Sequence, residues 1–143
     1  MNKTYSKSGR ALTERFEGCR LEAYQDSTGR WTIGYGHTFN VIKGDVCTQA
    51  QAEAWLIGDT AWAEKYVNRH VTTEVTQGEF DALVDFSFNL GVGTFEQSTL
   101  LRLVNERQFA AAALEFDKWA HAGGVVVAGL LRRRQAEAAE FLS

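Results

Sequence analysis

The sequence predicts an α+β fold, mainly helical, and three observations carry that prediction. Residues 21–38 alternate apolar and polar side chains around "DSTG", the period of a half-buried sheet, while the chain on both sides has helical spacing. Thr48 with Gln51 and Thr76 with Glu79 read as capping boxes that open helices. The strand-like part is confined to one early stretch, so the sheet is segregated to one end instead of alternating with helices.

Each element has its own reason. From Ser8 to about Phe16, the residues Ala11, Leu12, Arg15 and Phe16 fall on one helical face, and Gly18 is a natural stop. The Thr, Ile, Tyr and Trp of "RWTIGYGHT" favour strands, giving a small antiparallel sheet, and "NVIKGD" is a loop. A long helix follows Thr48 through "QAQAEAWLIGDTAWAEKYVNR". After Thr76, "EFDALVDFSFNLG" places Phe80, Leu83, Val84, Ser87 and Phe88 on one stripe. "GVGTF" breaks the chain. Two further helical stretches, "STLLRLVNE" and "QFAAAALEFDKWA", precede a glycine-rich "HAGGVVVAG" segment and a closing helix, "LLRRRQAEAAEFL". No proline occurs, so turns rely on Gly, Asn, Asp and Ser.

These elements are expected to form one domain over residues 1–143. A small sheet lobe covers about 17–60, and a helical lobe covers about 61–143 together with the amino-terminal helix. Two lobes on one long helix would leave a cleft, where ligands usually sit. With 45% hydrophobic and 23% charged residues the chain is globular, not disordered. A net charge of −3 offers no general basic field for nucleic acid, with "RRR" at 132–134 the local exception. No run approaches the roughly 18 apolar residues of a membrane helix. The polar start shows neither signal peptide nor anchor, so no stable membrane insertion and a cytoplasmic location are expected. Cys19 and Cys47 are too few for a disulfide framework and too far apart for a zinc pair, and read as free, largely buried thiols.

Glu17 is the first candidate for chemistry. It ends the first helix, where the macrodipole disfavours a negative charge, and follows Phe16, which should pack inward. A partly desolvated carboxyl at such a junction suits general-acid work. Asp26, before the turn, and Thr32, on the next strand, are routine residues one at a time. Their spacing after Glu17 is more specific. Two carboxyls and a hydroxyl are what glycosidic-bond hydrolysis needs: one acid protonates the leaving oxygen, and a carboxylate with a hydroxyl holds water on the other side of the sugar.

The run "FEGCRLEAYQDSTGRWTIGYGHT", residues 16–38, resembles the amino-terminal active-site segment of the T4-type phage lysozymes, the endolysins that cut peptidoglycan. "FNLGVGTFEQSTLL", "KWAHAGG" and "GLLRRRQAEAAEFL" resemble that family's carboxy-terminal lobe, so the likeness covers essentially the whole chain. It implies a lysozyme-like fold. It also implies a muramidase that hydrolyses the β-1,4 bond between N-acetylmuramic acid and N-acetylglucosamine in host cell lysis by a phage or prophage. Glu17 would be the general acid, Asp26 the carboxylate that positions water or stabilises the transition state, and Thr32 a holder of that water. An inverting reaction predicts a carboxyl separation of roughly 6.5–9.5 Å. No metal or cofactor is implied.

By the same resemblance His37 is structural, in an ion pair with Asp59 on the long helix. Asn89 matches a polar cleft position, with a helix C-cap as its bland alternative. Arg133 would reach toward Glu17 and orient it, the rest of "RRR" being solvated face. Tyr35, with Tyr24 and Trp31, is a candidate to contact saccharide, although aromatic strand residues more often pack. The protein would act as a monomer on peptidoglycan, waiting in the host cytoplasm until a holin-type lesion releases it to the wall. Two departures stand out: relatives often have a proline before the last helix, absent in "VVVAGLL", and many are basic. A fold-keeping wall binder or toxin-like protein need not retain Glu17, Asp26 and Thr32 together. A lytic transglycosylase needs no partner carboxylate, and Asp26 speaks against it.

Overall fold

A computed structural model describes residues 2–143. The elements run α1 (Lys7–Glu17), β1 (Arg20–Gln25), β2 (Trp31–Gly34), α2 (Gln49–His70), α3 (Gln77–Leu90), α4 (Val92–Glu96), α5 (Thr99–Asn105) and α6 (Phe109–Ala113). A 3-10 turn at Phe116–Trp119, β3 (His121–Ala122), β4 (Val125–Val126) and α7 (Ala128–Leu142) complete the chain. The architecture is α+β and mainly helical, as the sequence predicts. It divides into two compact units: Thr13–Ala61, and Trp62–Ser143 with the amino-terminal stretch through Leu12.

In the Thr13–Ala61 unit, β1 pairs antiparallel with β2, with Tyr24 opposite Thr32 and Gln25 opposite Trp31. α1 stops before this sheet because Gly18 takes φ +69°, a conformation that costs glycine little. The Thr48 box is present. Gln51 N–H donates to Thr48 Oγ1 at 3.1 Å, and Thr48 N–H donates to Gln51 Oε1 at 3.0 Å. Ala52, Leu56, Thr60, Ala63 and Val67 then form a buried stripe along α2, three or four residues apart.

The helical unit is built on α3, which packs mainly against α7. Its box at Thr76 and Glu79 is also present. Phe86 sits among aromatic rings, edge-on to Phe116 at 5.7 Å, Trp119 at 6.0 Å and Phe95 at 6.3 Å. Four features depart from the sequence expectation. "GVGTF" holds a helix of its own: Gly91, at φ +95°, ends α3, and buried Phe95 anchors α4 immediately after. The "QFAAAALEFDKWA" stretch is split, because Leu114 and Glu115 donate to carbonyls three residues back and tighten the chain after α6. "HAGGVVVAG" contains a hairpin whose turn is Gly123-Gly124, both at positive φ. Finally, α3 is buried on every side over Glu79–Ser87, not on one stripe.

That complete burial takes acidic residues inside with it. Asp85 accepts from Arg133 Nε at 2.9 Å and Nη2 at 2.8 Å, a bidentate pair from α7. Arg134 is fully buried, which corrects its assignment to a solvated face. Its Nη2 donates to Glu137 Oε2 at 2.9 Å and to Asn89 Oδ1 at 2.7 Å, and its guanidinium lies over the Phe86 ring at 5.5 Å. Only Arg132 of the run is exposed. Burial, and then the neighbouring Asp85 carboxyl, hold the Glu137 carboxyl well above the ordinary glutamate range, against the pull of Arg134 and Arg133.

A folded-state pKa raised in this way adds stability below the unfolded value, and that stability is lost as pH rises through the folded value. Glu137→Gln keeps the shape of the protonated acid without the titration. Melting temperatures of both proteins, followed upward from about pH 4, should move progressively in favour of the variant. Parallel curves would exclude this origin.

Candidate active site

Asp26 sits where β1 turns into β2, and the turn is built around its carboxylate. Gly29 N–H donates to the Asp26 carbonyl at 2.9 Å, and Gly29 takes φ +85°, the left-handed residue such a hairpin turn requires. Three donors converge on Asp26 Oδ1: Thr28 Oγ1 at 2.7 Å, Thr28 N–H at 2.8 Å and Arg30 N–H at 3.0 Å. The Thr28 hydroxyl first, and the Arg30 N–H next, hold the Asp26 carboxyl below the ordinary aspartate range. The charge is therefore kept near an otherwise open surface. Oδ2 takes none of these bonds.

The Arg30 main chain also reaches Thr32. Its carbonyl accepts from Asp26 N–H at 2.9 Å and from Thr32 Oγ1 at 3.0 Å. Thr32 is buried on β2, and its hydroxyl proton is committed to that carbonyl. The oxygen's lone pairs then remain as acceptors. Asp26 and Thr32 are thus fixed to the same residue by main-chain bonds.

Glu17 closes α1, and Gly36 lies beside it. A Cβ built on Gly36 would come 3.4 Å from Glu17 Oε1, and Gly36 takes φ +83°. Glycine there serves the turn, and the carboxyl lies at contact distance from it. The turn is drawn shut by Ile33 and His37, which exchange two main-chain bonds of 2.9 Å each.

His37 and Asp59 are brought together, with Nδ1 2.8 Å from Asp59 Oδ2. The imidazole also stacks on Trp55, rings 4.4 Å apart and 5° from parallel. Trp55 and Asp59 are one turn apart on α2, so a single helix face holds the ring from its plane and its edge. Tyr35 hydroxyl accepts from Gln49 Nε2 at 2.7 Å, and Cys19 Sγ lies 3.7 Å from Gln49 Oε1. Tyr24 is capped by the Arg20 guanidinium at 4.3 Å. Cys19 and Cys47 are both free and half-buried. Asn89 and Arg133 belong to the helical unit, where Arg134 and Asp85 respectively hold them.

Residues 14–137 match the family described as phage lysozyme. The chain belongs to the phage lysozyme family. It is 44% identical to an endolysin of Acyrthosiphon pisum secondary endosymbiont phage 1, over 96% of this chain and 97% of that protein. It is 43% identical over 96% of its length to an endolysin of Bacillus phage PZA, of which it spans 55%. An endolysin structure from Escherichia coli O157:H7 phage FAHEc1 superposes with a TM-score of 0.93 at 34% identity, covering 100% of this chain and 96% of that one. Phage lysozymes are glycoside hydrolases that degrade peptidoglycan in lysis, and this chain is one of them.

In this phage lysozyme, sequence reasoning missed Thr28, the Arg30 main chain and Trp55. A threonine two residues after an aspartate in a turn is the local signal that points to the first. Trp55 was readable only from its four-residue spacing to Asp59. Asp59→Asn should weaken the partly buried charge-assisted bond to His37 and lower stability by about 1–2 kcal/mol. Urea unfolding reads that loss, while activity per folded molecule should change little. Unchanged stability with lost catalysis would place the pair in the chemistry instead of the scaffold.

Proposed function

We propose that the protein hydrolyses the β-1,4 bond between N-acetylmuramic acid and N-acetylglucosamine with Glu17 as acid, Asp26 as base and Thr32 as water holder. The observation that carries this reading is the division of labour at Asp26. One carboxylate oxygen is saturated by its own turn, and the other is left to accept from solvent. A water molecule donating one hydrogen to Asp26 Oδ2 and one to Thr32 Oγ1 would present its lone pair to the anomeric carbon. As that bond forms, Glu17 gives its proton to the departing glycosidic oxygen and Asp26 takes the proton of the attacking water. The anomeric centre inverts, and both carboxyls return to their starting states when Asp26 releases its proton to solvent and Glu17 takes one up.

His37 and Asp59 serve as scaffold in this reading, while Tyr35, Asn89 and Arg133 bind substrate. Asn89 is held by Arg134, and Arg133 is buried with its fork on Asp85. Action as a monomer is part of the same proposal. The protein acts on the bacterial cell wall. We place it in the host cytoplasm before lysis, with a holin-type lesion releasing it to the wall, on the strength of the endolysins it resembles. Among the described residues, no helix is long and apolar enough to cross a membrane.

Turbidity loss of outer-membrane-permeabilised Gram-negative cells should fall by about 10²–10⁴-fold in Glu17→Gln, the range expected for losing a general acid. Mass spectrometry of the wild-type products should find reducing-end muramic acid. Undiminished lysis by Glu17→Gln would remove Glu17 from the mechanism, and 1,6-anhydro products would replace hydrolysis by transglycosylation.

A further inference from the structure

We propose that Thr28 is a positioning residue for the reaction, its side-chain hydroxyl locking Asp26 Oδ1 so that Oδ2 alone is presented to the nucleophilic water. The inference rests on the reading of Asp26 given above and extends it to a residue that never touches the reacting atoms. Thr28 gives Asp26 Oδ1 two of its three hydrogen bonds, and the hydroxyl bond, at 2.7 Å, is the shortest of the set.

The geometry sets how each bond acts. The two N–H groups come from the main chain and persist with any non-proline side chain at 28 and 30. They fix the turn. The hydroxyl is the variable third donor. A carboxylate anchored only by main-chain donors at one oxygen can still swing about its Cβ–Cγ bond, because that torsion is broad and roughly two-fold. A partial swing takes the water-facing oxygen out of line, whereas a full half-turn only interchanges two equivalent oxygens. A third donor on the anchored oxygen narrows the partial swings, since each one strains three bonds together. The same bond favours the ionised carboxylate, the form that accepts a proton from water. The charged group acting on Asp26 is the Arg30 guanidinium, from its own turn, and it works in the same direction.

A surface threonine that merely stabilised its loop would affect the melting temperature and leave the kinetics alone. Thr28 therefore needs a kinetic readout, on soluble peptidoglycan chains released from purified sacculi. Thr28→Val preserves the branched shape and the N–H while deleting the donor. It should lower kcat by about tenfold with KM little changed, since a charge-assisted bond lost at the base is worth that order. The acidic limb of its kcat/KM profile should move to higher pH, because the carboxylate loses a bond that favours ionisation. Thr28→Ser restores the hydroxyl and should restore both values.

Asp26→Asn is measured alongside. If Asp26→Asn keeps its activity, the reading of Asp26 falls and this inference with it. If Asp26→Asn is inactive while Thr28→Val has the wild-type kcat and acidic limb, the inference alone is overturned. A loss in Thr28→Val that Thr28→Ser does not recover overturns it as well, by showing that something other than the hydroxyl is responsible.

Discussion

Glu79 through Ser87 form an unbroken buried run on α3, and that run includes Glu79, Asp81 and Asp85. Burying carboxylates without partners costs far more than the apolar surface around them recovers. Each therefore has its own partner. Glu79 accepts from the Thr76 N–H at its own helix start, and Asp81 takes the Ser6 N–H at 3.1 Å and Gln77 Nε2 at 2.8 Å. Asp85 receives the Arg133 fork from α7. These bonds tie the amino-terminal segment and α7 to the same helix that carries Phe86 and its aromatic cluster. The fold of the helical unit is consequently conditional on polar geometry and not on hydrophobicity alone.

The small unit solves a different problem, that of keeping a charged side chain near water yet motionless. Its answer is local. Asp26, Thr28, Gly29, Arg30 and Thr32 lie within seven residues, so little loop-closure entropy is spent in bringing them together. The His37 ring, clasped by Trp55 and Asp59, secures the far end of the same ribbon to α2. Gly36, at φ +83°, lets the chain turn beside Glu17.

Most of the helices were legible because their signals are local. The boxes at Thr48 and Thr76 are made by residues three apart, and both occur as written in the sequence. The hairpin at His121–Val126 escaped because two-residue strands carry no readable alternation, although Gly123-Gly124 was an available turn signal. The helix Val92–Glu96 escaped because its anchor, Phe95, is identified only by what packs on it. Arg134 is the clearest failure. Three consecutive arginines read as a solvated face, and nothing local distinguishes the exposed Arg132 from Arg134, whose partners lie three and 45 residues away. The candidate catalytic residues were legible from spacing, but the way Asp26 is held was not, since two of its three donors are main-chain groups that every residue type provides.

That last point reaches beyond this site. Arg30 contributes its N–H and carbonyl to Asp26 and Thr32, and its side chain takes no part in those bonds. Codons for nineteen of the twenty amino acids at position 30 therefore encode the same strut, with proline the single exclusion because it lacks the N–H. Mutational drift can rewrite the surface at that corner, changing its charge or its adhesion to a wall polymer, while the frame beneath is inherited intact. An engineer who retunes the protein's approach to its substrate at this position keeps the strut, and loses only the support that the Arg30 guanidinium gives the Asp26 charge.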